Sequence, residues 1–135
     1  MKILIVEDDF TNRKIMQKIL SDYGDCDMAF DGNEAIEAFQ QSLEEKKPYD
    51  LICMDIMMPN MDGQEALTRI RQLEKKSGIA TRNEVKVIMT TALDDPKNVV
   101  NSLKSGAASY IVKPISKQKL VDEISKLGLF VSTGA

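Results

Sequence analysis

The sequence predicts an α/β fold in three layers, in which five helices flank a five-stranded parallel sheet that is wound in both directions. Short apolar runs of strand length alternate along the chain with segments whose apolar residues recur at helical spacing. Parallel strands need crossover connections, and helices supply them. The run Leu51–Met54 is apolar without interruption, as is typical of a strand covered on both faces. We therefore expect helices on both faces of one sheet.

The first part of the chain predicts two strands and two helices before the central strand. The run Ile3–Val6 predicts a buried strand, and Gly24 is a stop signal for the helix that follows it. Asp31 and Glu34 form a cap-like start for the second helix, which Lys46-Lys47-Pro48 ends. The residues that carry the periodicity are Ile15, Met16, Ile19, Leu20 and Tyr23 in the first helix, Cys26, Met28 and Phe30 in the second strand, and Ala35, Ile36, Phe39 and Leu43 in the second helix.

The second part of the chain repeats this pattern. Asp62 and Glu65 predict the start of the third helix, and the polar segment 75–84 predicts a surface loop after it. Asp95-Pro96 predicts the start of the fourth helix, and Ser116 caps the fifth. The apolar residues of these elements are Leu67, Ile70 and Leu73 in the third helix, Val85, Val87, Ile88 and Met89 in the fourth strand, Val99, Val100 and Leu103 in the fourth helix, Tyr110, Ile111 and Val112 in the fifth strand, and Leu120, Val121, Ile124 and Leu127 in the fifth helix.

Length and composition limit the possible classes of protein. The chain has 135 residues, of which 43% are hydrophobic, so we expect one domain over residues 1–130 and a short tail over 131–135. Its 21 acidic and 18 basic residues are spread along the sequence, which argues against a nucleic-acid partner. Apolar runs are too short for a membrane span or a signal peptide, so we expect a cytoplasmic protein without membrane contact.

The cysteines and the absence of histidine exclude several kinds of site. Cys26 and Cys53 fall inside apolar strand patterns, which favours buried reduced thiols over a disulfide or a metal site. The sequence contains no histidine, so it cannot build a His-based catalytic triad, and without paired cysteines it cannot build a zinc site either.

Polar and charged residues follow four of the predicted strands at the point where each strand ends. Glu7 and Asp8 follow the first strand, Asp55 the third, Thr91 the fourth and Lys113 the fifth. The carboxyl ends of parallel strands share one edge of the sheet, which is where open α/β sheets bind ligands. Three carboxylates at one edge repel one another unless a cation neutralises them, and oxygen ligands without His or Cys favour Mg²⁺. The sequence therefore predicts a magnesium site.

Asp55 is then the candidate nucleophile of this edge. A hydroxyl and an ammonium, here Thr91 and Lys113, suit the oxygens of a phosphoryl group, and a carboxylate can attack phosphorus to form an aspartyl phosphate. Each signal alone has a structural alternative: a solvated loop or helix cap for the acidic run, a structural threonine, an exposed lysine, and a turn cap for Asp55. Their conjunction at the ends of separate strands favours the functional interpretation.

Four segments of the chain combine these site residues with their neighbours. They are Ile-Leu-Ile-Val-Glu-Asp-Asp (3–9), Met-Asp-Ile-Met-Met-Pro-Asn-Met-Asp-Gly (54–63), Thr-Thr-Ala (90–92) and Tyr-Ile-Val-Lys-Pro (110–114). Together they resemble the receiver domain of two-component response regulators, of the single-domain type found in chemotaxis regulators. The resemblance covers nearly the whole chain. It implies a flavodoxin-like fold and a phosphoprotein that takes part in phosphorelay signal transduction.

Matched by motif, the resemblance implies a role for each site residue. Asp55 is the phosphoacceptor, and the Mg²⁺ site consists of Asp8 as a direct ligand, Glu7 as an acid that holds metal-bound water, Asp55 itself and the backbone carbonyl of Met57. Thr91 and Lys113 match the pair that contacts the phosphoryl group, and the peptide bond between Lys113 and Pro114 is usually cis in the family.

The resemblance also implies a conformational switch. Phosphorylation in the family draws the threonine, here Thr91, toward the phosphoryl group, while an aromatic residue, here Tyr110, turns inward. The face formed by the fourth helix, fifth strand and fifth helix then changes its partner preference. The implied partners are a histidine kinase or phosphotransfer protein, a downstream protein on that face, and a second copy in a phosphorylation-dependent homodimer.

The chain departs from the commonest receiver pattern in three places. Glu7 replaces the more usual Asp of the acidic pair, and the segment 75–84 is longer than usual. Met57 and Leu93 are apolar where polar residues that orient water often occur. Our hypothesis is that both shield the acyl phosphate from water; the alternative is that they only pack against the loops.

Three other functions compete with a phosphoacceptor that catalyses only its own phosphorylation and dephosphorylation. A phosphatase of the haloacid dehalogenase class needs a second acid two residues after the nucleophile, where this chain has Met57. A flavodoxin-like electron carrier needs a phosphate-binding loop after the first strand, where Glu7-Asp8-Asp9-Phe10 would repel a flavin phosphate. A pseudo-receiver that only binds proteins is disfavoured by the complete set of site residues.

Overall fold

Strands and helices alternate along the chain in a computed structural model, which describes residues 1–92 and 96–129. The strands are β1 (Lys2–Val6), β2 (Asp25–Ala29), β3 (Leu51–Asp55), β4 (Lys86–Thr91) and β5 (Ser109–Val112). The helices are α1 (Phe10–Leu20), α2 (Gly32–Glu44), α3 (Gly63–Lys76), α4 (Pro96–Lys104) and α5 (Lys117–Lys126), with a short 3₁₀ helix at Thr81–Asn83.

The strands form one sheet in the order β2-β1-β3-β4-β5, and every neighbouring pair is parallel. This arrangement confirms the predicted doubly wound α/β fold. β3 lies in the middle of the sheet and all of its residues are buried, as its uninterrupted apolar run predicts. The order also places the carboxyl ends of β1, β3, β4 and β5 side by side at one edge.

Alternating strand residues fill two apolar layers, one on each face of the sheet. Leu4, Ile52 and Met54 pack with residues of α2 and α3, while Ile3, Leu51 and Cys53 pack with residues of α1 and α5. Burial of an aliphatic side chain of this size stabilises a fold by about 1.5–3 kcal/mol. The two layers hold the sheet as a rigid base for the loops at its edges.

Three predicted helix starts are confirmed by their capping bonds. The side chains of Asp31, Asp62 and Ser116 accept hydrogen bonds from backbone amides three residues later, at the starts of α2, α3 and α5. Asp9 caps α1 in the same way. α4 begins at Pro96, but Asp95, which also belongs to its predicted start, lies outside the described residues, as does the predicted tail.

The predicted loop 75–84 is partly wrong, because α3 continues through Lys76 and Thr81–Asn83 form a 3₁₀ turn. The last turn of α3 is anchored from outside the helix. Glu74 accepts a hydrogen bond from the amide of Val85, and Arg71 donates to the carbonyls of Val85 and Gly106. These contacts tie α3 to the start of β4, and nearby sequence does not reveal them.

Three other expectations need correction. α1 ends at Leu20 rather than near Gly24, because the backbone amides of Tyr23 and Gly24 both donate hydrogen bonds to the Leu20 carbonyl in a turn. In β2, Met28 is 41% exposed and Phe30, just after the strand, is 50% exposed. Helices cover an edge strand less completely than a central one, so period-2 alternation overstates burial there. Both cysteines are free thiols, as predicted, but only Cys53 is buried, whereas Cys26 is half-buried.

No helix in the described part of the chain is long and apolar enough to span a membrane.

Candidate functional site

Three carboxylates meet where β1 and β3 end. Val6 and Met54 are paired in the parallel register, so the next residues, Glu7 and Asp55, lie side by side at the ends of the two strands. Glu7, Asp8 and Asp55 each offer a carboxylate oxygen, and these oxygens lie within 4.8 Å of one another. Glu7 and Asp55 are buried, while Asp8 is at the surface. The predicted convergence of the acidic residues is therefore present in the structure.

Lys113 reaches this cluster from two strands away. Its amide donates to the carbonyl of Thr91, which holds the end of β5 beside β4. Its Nζ lies 2.8 Å from Oε1 of Glu7 and 3.1 Å from Oδ2 of Asp55. The peptide bond from Lys113 to Pro114 is cis, as the resemblance implies. The ammonium thus bridges the two buried carboxylates.

The backbone around Asp55 is held closely. Oδ1 of Asp55 accepts a hydrogen bond of 3.1 Å from the amide of Met57, and Gly63 donates to the carbonyl of Ile56. A Cβ atom on Gly63 would lie 2.3 Å from the carbonyl oxygen of Asp55. Only glycine therefore lets α3 begin so close to the strand end. The sequence indicates Gly63 as a turn former but does not reveal this contact.

The structure also places the remaining predicted site residues. Thr91 is buried at the end of β4, next to the strand that ends in Asp55. Tyr110 is half-buried and packs against the apolar layer that contains α2 and α3. The Met57 side chain is 66% exposed, so it is not packed away among the loops. Leu93, its predicted companion, lies outside the described residues.

The acidic cluster contains more negative charges than the single ammonium of Lys113 can balance. Burial raises the pKa of Glu7 above its ordinary value, because its contacts with Lys113 and the amide of Asp9 offset burial only in part. Partial burial and the neighbouring Glu7 raise the pKa of Asp8 as well. Burial alone would lower the pKa of Lys113, but the contact with Glu7 and the charge of Asp55 outweigh it and raise that pKa. Lys113 therefore stays protonated.

The donor set fits a hard divalent cation. Three carboxylates against one ammonium leave two negative charges in excess at this cluster. All three carboxylates offer oxygen, the ligand type that Mg²⁺ prefers, and the exposed position of Asp8 leaves room for metal-bound water. Added positive charge would also lower the pKa of Glu7 and of Asp8 toward ordinary values.

Sequence reasoning missed one side chain beside the acidic residues. Arg13, in the first turns of α1, donates a hydrogen bond of 2.9 Å from Nη1 to the carbonyl of Glu7. Its position in the sequence gives no sign of this contact, because the side chain points back along the helix to the loop before it. The motifs also draw attention to carboxylates rather than to the residues that hold their backbone.

This fold, with an acidic cluster and a lysine at the carboxyl edge of its sheet, agrees with the resemblance to a receiver domain. The family model of the response regulator receiver domain matches residues 3–125, and the chain belongs to that family, which serves two-component signal transduction.

Two curated relatives show how the chain compares with longer and shorter proteins. It is 39% identical over 131 residues to the hybrid signal transduction histidine kinase B of Dictyostelium discoideum. That alignment covers 93% of this chain but only 6% of the kinase. It is 33% identical over 126 residues to the chemotaxis protein CheY of Listeria monocytogenes. That alignment covers 93% of this chain and 97% of CheY. The chain spans 6% to 12% of the length of four histidine kinase relatives, to which it is 32% to 39% identical.

Solved structures show the same fold. One chain of the CheX–CheY complex of Borrelia burgdorferi with BeF₃ and Mg²⁺ matches with a TM-score of 0.82 and 28% identity. The match covers 95% of this chain and 89% of the chain in the complex. A receiver domain from Saccharomyces cerevisiae, crystallised with a histidine phosphotransfer protein, matches with a TM-score of 0.81 and 28% identity, over 95% and 88% of the two chains.

Proposed function

We propose that this receiver domain accepts a phosphoryl group on Asp55 in the presence of Mg²⁺. The observation that carries the proposal is the position of Asp55, whose Oδ2 lies 3.1 Å from Lys113 Nζ inside a cluster of three carboxylates. Glu7, Asp8, Asp55 and the backbone carbonyl of Met57 would hold the ion. When bound, Mg²⁺ supplies positive charge next to the phosphoryl oxygens.

The chain's own residues would position and stabilise the transfer. A carboxylate oxygen of Asp55 forms the new bond to phosphorus, and the bond from phosphorus to the donor breaks, with its electron pair leaving on the donor atom. The Lys113 ammonium and the Thr91 hydroxyl would contact phosphoryl oxygens, and the low exposure of Asp55 limits competing water. Catalysis would be limited to the domain's own phosphorylation and dephosphorylation.

The donor that we propose is a histidine kinase or a histidine phosphotransfer protein. A similar receiver domain was crystallised with a phosphotransfer protein, and two relatives are hybrid histidine kinases, which supports this partner class. In such a donor the phosphoryl group leaves a histidine nitrogen, which takes back its electron pair.

The output that we propose is a change of the face formed by α4, β5 and α5. Tyr110 lies half-buried on β5, two residues before Val112, which is paired with Thr91. Movement of the Thr91 hydroxyl toward a phosphoryl group would let the Tyr110 ring turn inward. Val100 and Leu103 are 46% and 44% exposed on α4, and they offer apolar surface to a downstream protein or to a second copy.

The test is incubation with acetyl phosphate, with and without Mg²⁺, followed by intact-mass analysis. One phosphate should add to the wild type only when Mg²⁺ is present, and none should add to Asp55→Asn. The control is Asp25→Asn, the same change at an exposed residue. Asp25 is the first residue of β2 and so lies at the end of the sheet opposite to Asp55, and this variant should be phosphorylated like the wild type. Absence of any adduct would favour a pseudo-receiver, and an adduct on Asp55→Asn would place the acceptor elsewhere.

A further inference from the structure

Arg13 connects the helix α1 to the loop that carries the acidic residues. Its side chain turns back from the helix, and Nη1 donates 2.9 Å to the carbonyl of Glu7 and lies 3.5 Å from the carbonyl of Asp8. Glu7 and Asp8 are the two residues of this loop in the acidic cluster. The same guanidinium nitrogen therefore contacts the backbone of both.

The guanidinium is also held from the other side. Its Cζ atom lies 4.2 Å from the centre of the Phe30 ring and 5.5 Å from that of Phe10, within the range of cation–π contacts. Phe30 follows β2, and its amide donates to Glu34 in the first turn of α2. Arg13 thus joins the loop after β1 to the loop after β2. A planar guanidinium can hydrogen-bond at its edge and stack on its face at once, which an ammonium cannot do.

We propose that Arg13 is a positioning residue for the divalent-cation site, holding the backbone of Glu7 and Asp8 so that their carboxylates stay oriented toward Asp55. The inference rests on the proposed function, because it requires the acidic cluster to bind a cation. Arg13 touches backbone carbonyls rather than the carboxylates, so its role is to fix the loop. Groups that orient metal ligands without touching the ion commonly change metal affinity by about 10- to 100-fold.

A role through charge alone predicts the opposite sign. Arg13 places a positive charge close to a site for a cation, so removing that charge would tighten cation binding by Coulomb's law. Removing a positioning contact would weaken binding, because the free loop must be ordered again on binding. The direction of the change therefore separates the two roles.

The chain offers a matched control for this experiment. Lys14 follows Arg13 on the same helix, carries the same charge on an exposed side chain, and its Nζ lies 5.3 Å from the Phe10 ring. Replacing Lys14 by glutamine changes the net charge as Arg13→Gln does, but it leaves the contacts to Glu7 and Asp8 in place.

The test measures Mn²⁺ binding, with Mn²⁺ as a spectroscopic substitute for Mg²⁺ at an oxygen site. The electron paramagnetic resonance signal of free Mn²⁺ gives the dissociation constant for the wild type, Arg13→Gln, Lys14→Gln and Phe30→Leu. Arg13→Gln should weaken binding about tenfold or more. Lys14→Gln should bind as the wild type does or slightly tighter, and Phe30→Leu, which keeps the hydrogen bonds, should weaken binding about threefold.

Urea unfolding with and without saturating Mn²⁺ distinguishes positioning from simple support of the fold. A purely structural residue would shift both curves equally, whereas loss of positioning should reduce the extra stability that the ion confers. Equal or tighter Mn²⁺ binding by Arg13→Gln would overturn the inference and leave the proposed function standing. If Arg13→Gln does not fold, unchanged binding by Phe30→Leu would overturn it. Absence of Mn²⁺ binding by the wild type would overturn both.

Discussion

The sheet has buried carboxylates at both ends of its strands, the amino-terminal edge and the carboxyl-terminal edge. The two sites differ in how the negative charge is balanced. At the amino-terminal edge, Glu74 is 1% exposed, and both of its oxygens are bonded, Oε1 to Arg71 and Oε2 to the amide of Val85. At the carboxyl-terminal edge, Lys113 contacts Glu7 and Asp55, and Asp8 completes the cluster of three carboxylates. One acid with one base is complete in itself, whereas three acids with one base call for a further cation.

Burial and pairing alone do not identify a functional acid. Burial raises the pKa of Glu74 as it raises that of Glu7, so the direction of the shift does not separate the two. What separates them is the count of neighbouring charges and the access to solvent that Asp8 provides. Single substitutions at the two ends of the sheet separate the balanced pair from the unbalanced cluster.

The largest effect should follow from breaking the balanced pair. Glu74→Leu would leave the guanidinium of Arg71, whose side chain is only 13% exposed, without its carboxylate and should lower the free energy of unfolding by about 3–5 kcal/mol. Urea unfolding measures this loss. Glu65→Leu on the same helix removes an acid that is half exposed and paired with Arg69, so it should cost about 1 kcal/mol or less. Equal losses in the two variants would show that the Glu74–Arg71 pair contributes no more to stability than the exposed Glu65–Arg69 pair.

The next effect concerns the open edge, where Met57 is exposed beside the acceptor. If its apolar side chain shields the acyl phosphate, Met57→Asn should speed dephosphorylation by about tenfold, or about 1.4 kcal/mol in the barrier. The decay of the phosphorylated mass measures this rate. Met28→Asn makes the same change on the exposed edge strand and should leave the rate unaltered. A rate that Met57→Asn does not change would contradict the shielding hypothesis.

Neutralising a surplus acid should have the opposite sign to neutralising a balanced one. Without divalent ions, Asp8→Asn should raise the free energy of unfolding by about 0.5 kcal/mol, since it relieves repulsion and solvent screens part of that gain. Unfolding in EDTA checks this value. With saturating Mg²⁺, the wild type should become the more stable of the two. Destabilisation of Asp8→Asn in EDTA would mean that the three acids do not repel one another appreciably.

The smallest effect is a difference in pH dependence. Burial raises the pKa of Glu74 above its ordinary value of 4.5, and the contacts with Arg71 and the Val85 amide offset this only in part. The folded state then holds the proton more tightly than the unfolded state, so the contribution to stability is full below pH 4.5 and is lost as the pH rises through the folded-state pKa.

Comparing Glu74→Gln with the wild type isolates this contribution, because glutamine does not titrate. The stability of the wild type relative to Glu74→Gln should fall as the pH rises above 4.5. The nearby Glu84, whose charge also raises the pKa of Glu74, is present in both proteins. Parallel stability curves for the two proteins would contradict the raised pKa.

The sequence predicted those features of fold and site that depend on local signals or on strand order. The caps at Asp31, Asp62 and Ser116 are bonds between residues three apart, so nearby residues suffice to predict them. The meeting of Glu7 and Asp55 follows from parallel strands that end at one edge.

The features that the sequence did not predict depend on contacts between distant segments. α3 is held at its last turn by Val85 and Gly106, and Arg13 is held by Phe30 across two loops. The exposure of Met28 depends on the place of β2 at the edge of the sheet, which alternation along the strand does not encode.

The most direct test of the charge contrast is a calorimetric titration of Mg²⁺ into the wild type, Asp8→Asn and Glu74→Gln. The two variants lose the same charge at opposite edges of the sheet. We expect one Mg²⁺ site in the wild type, binding weakened at least about tenfold, or about 1.4 kcal/mol, in Asp8→Asn, and wild-type affinity in Glu74→Gln. Absence of saturable binding in the wild type, or equal weakening in both variants, would contradict the account.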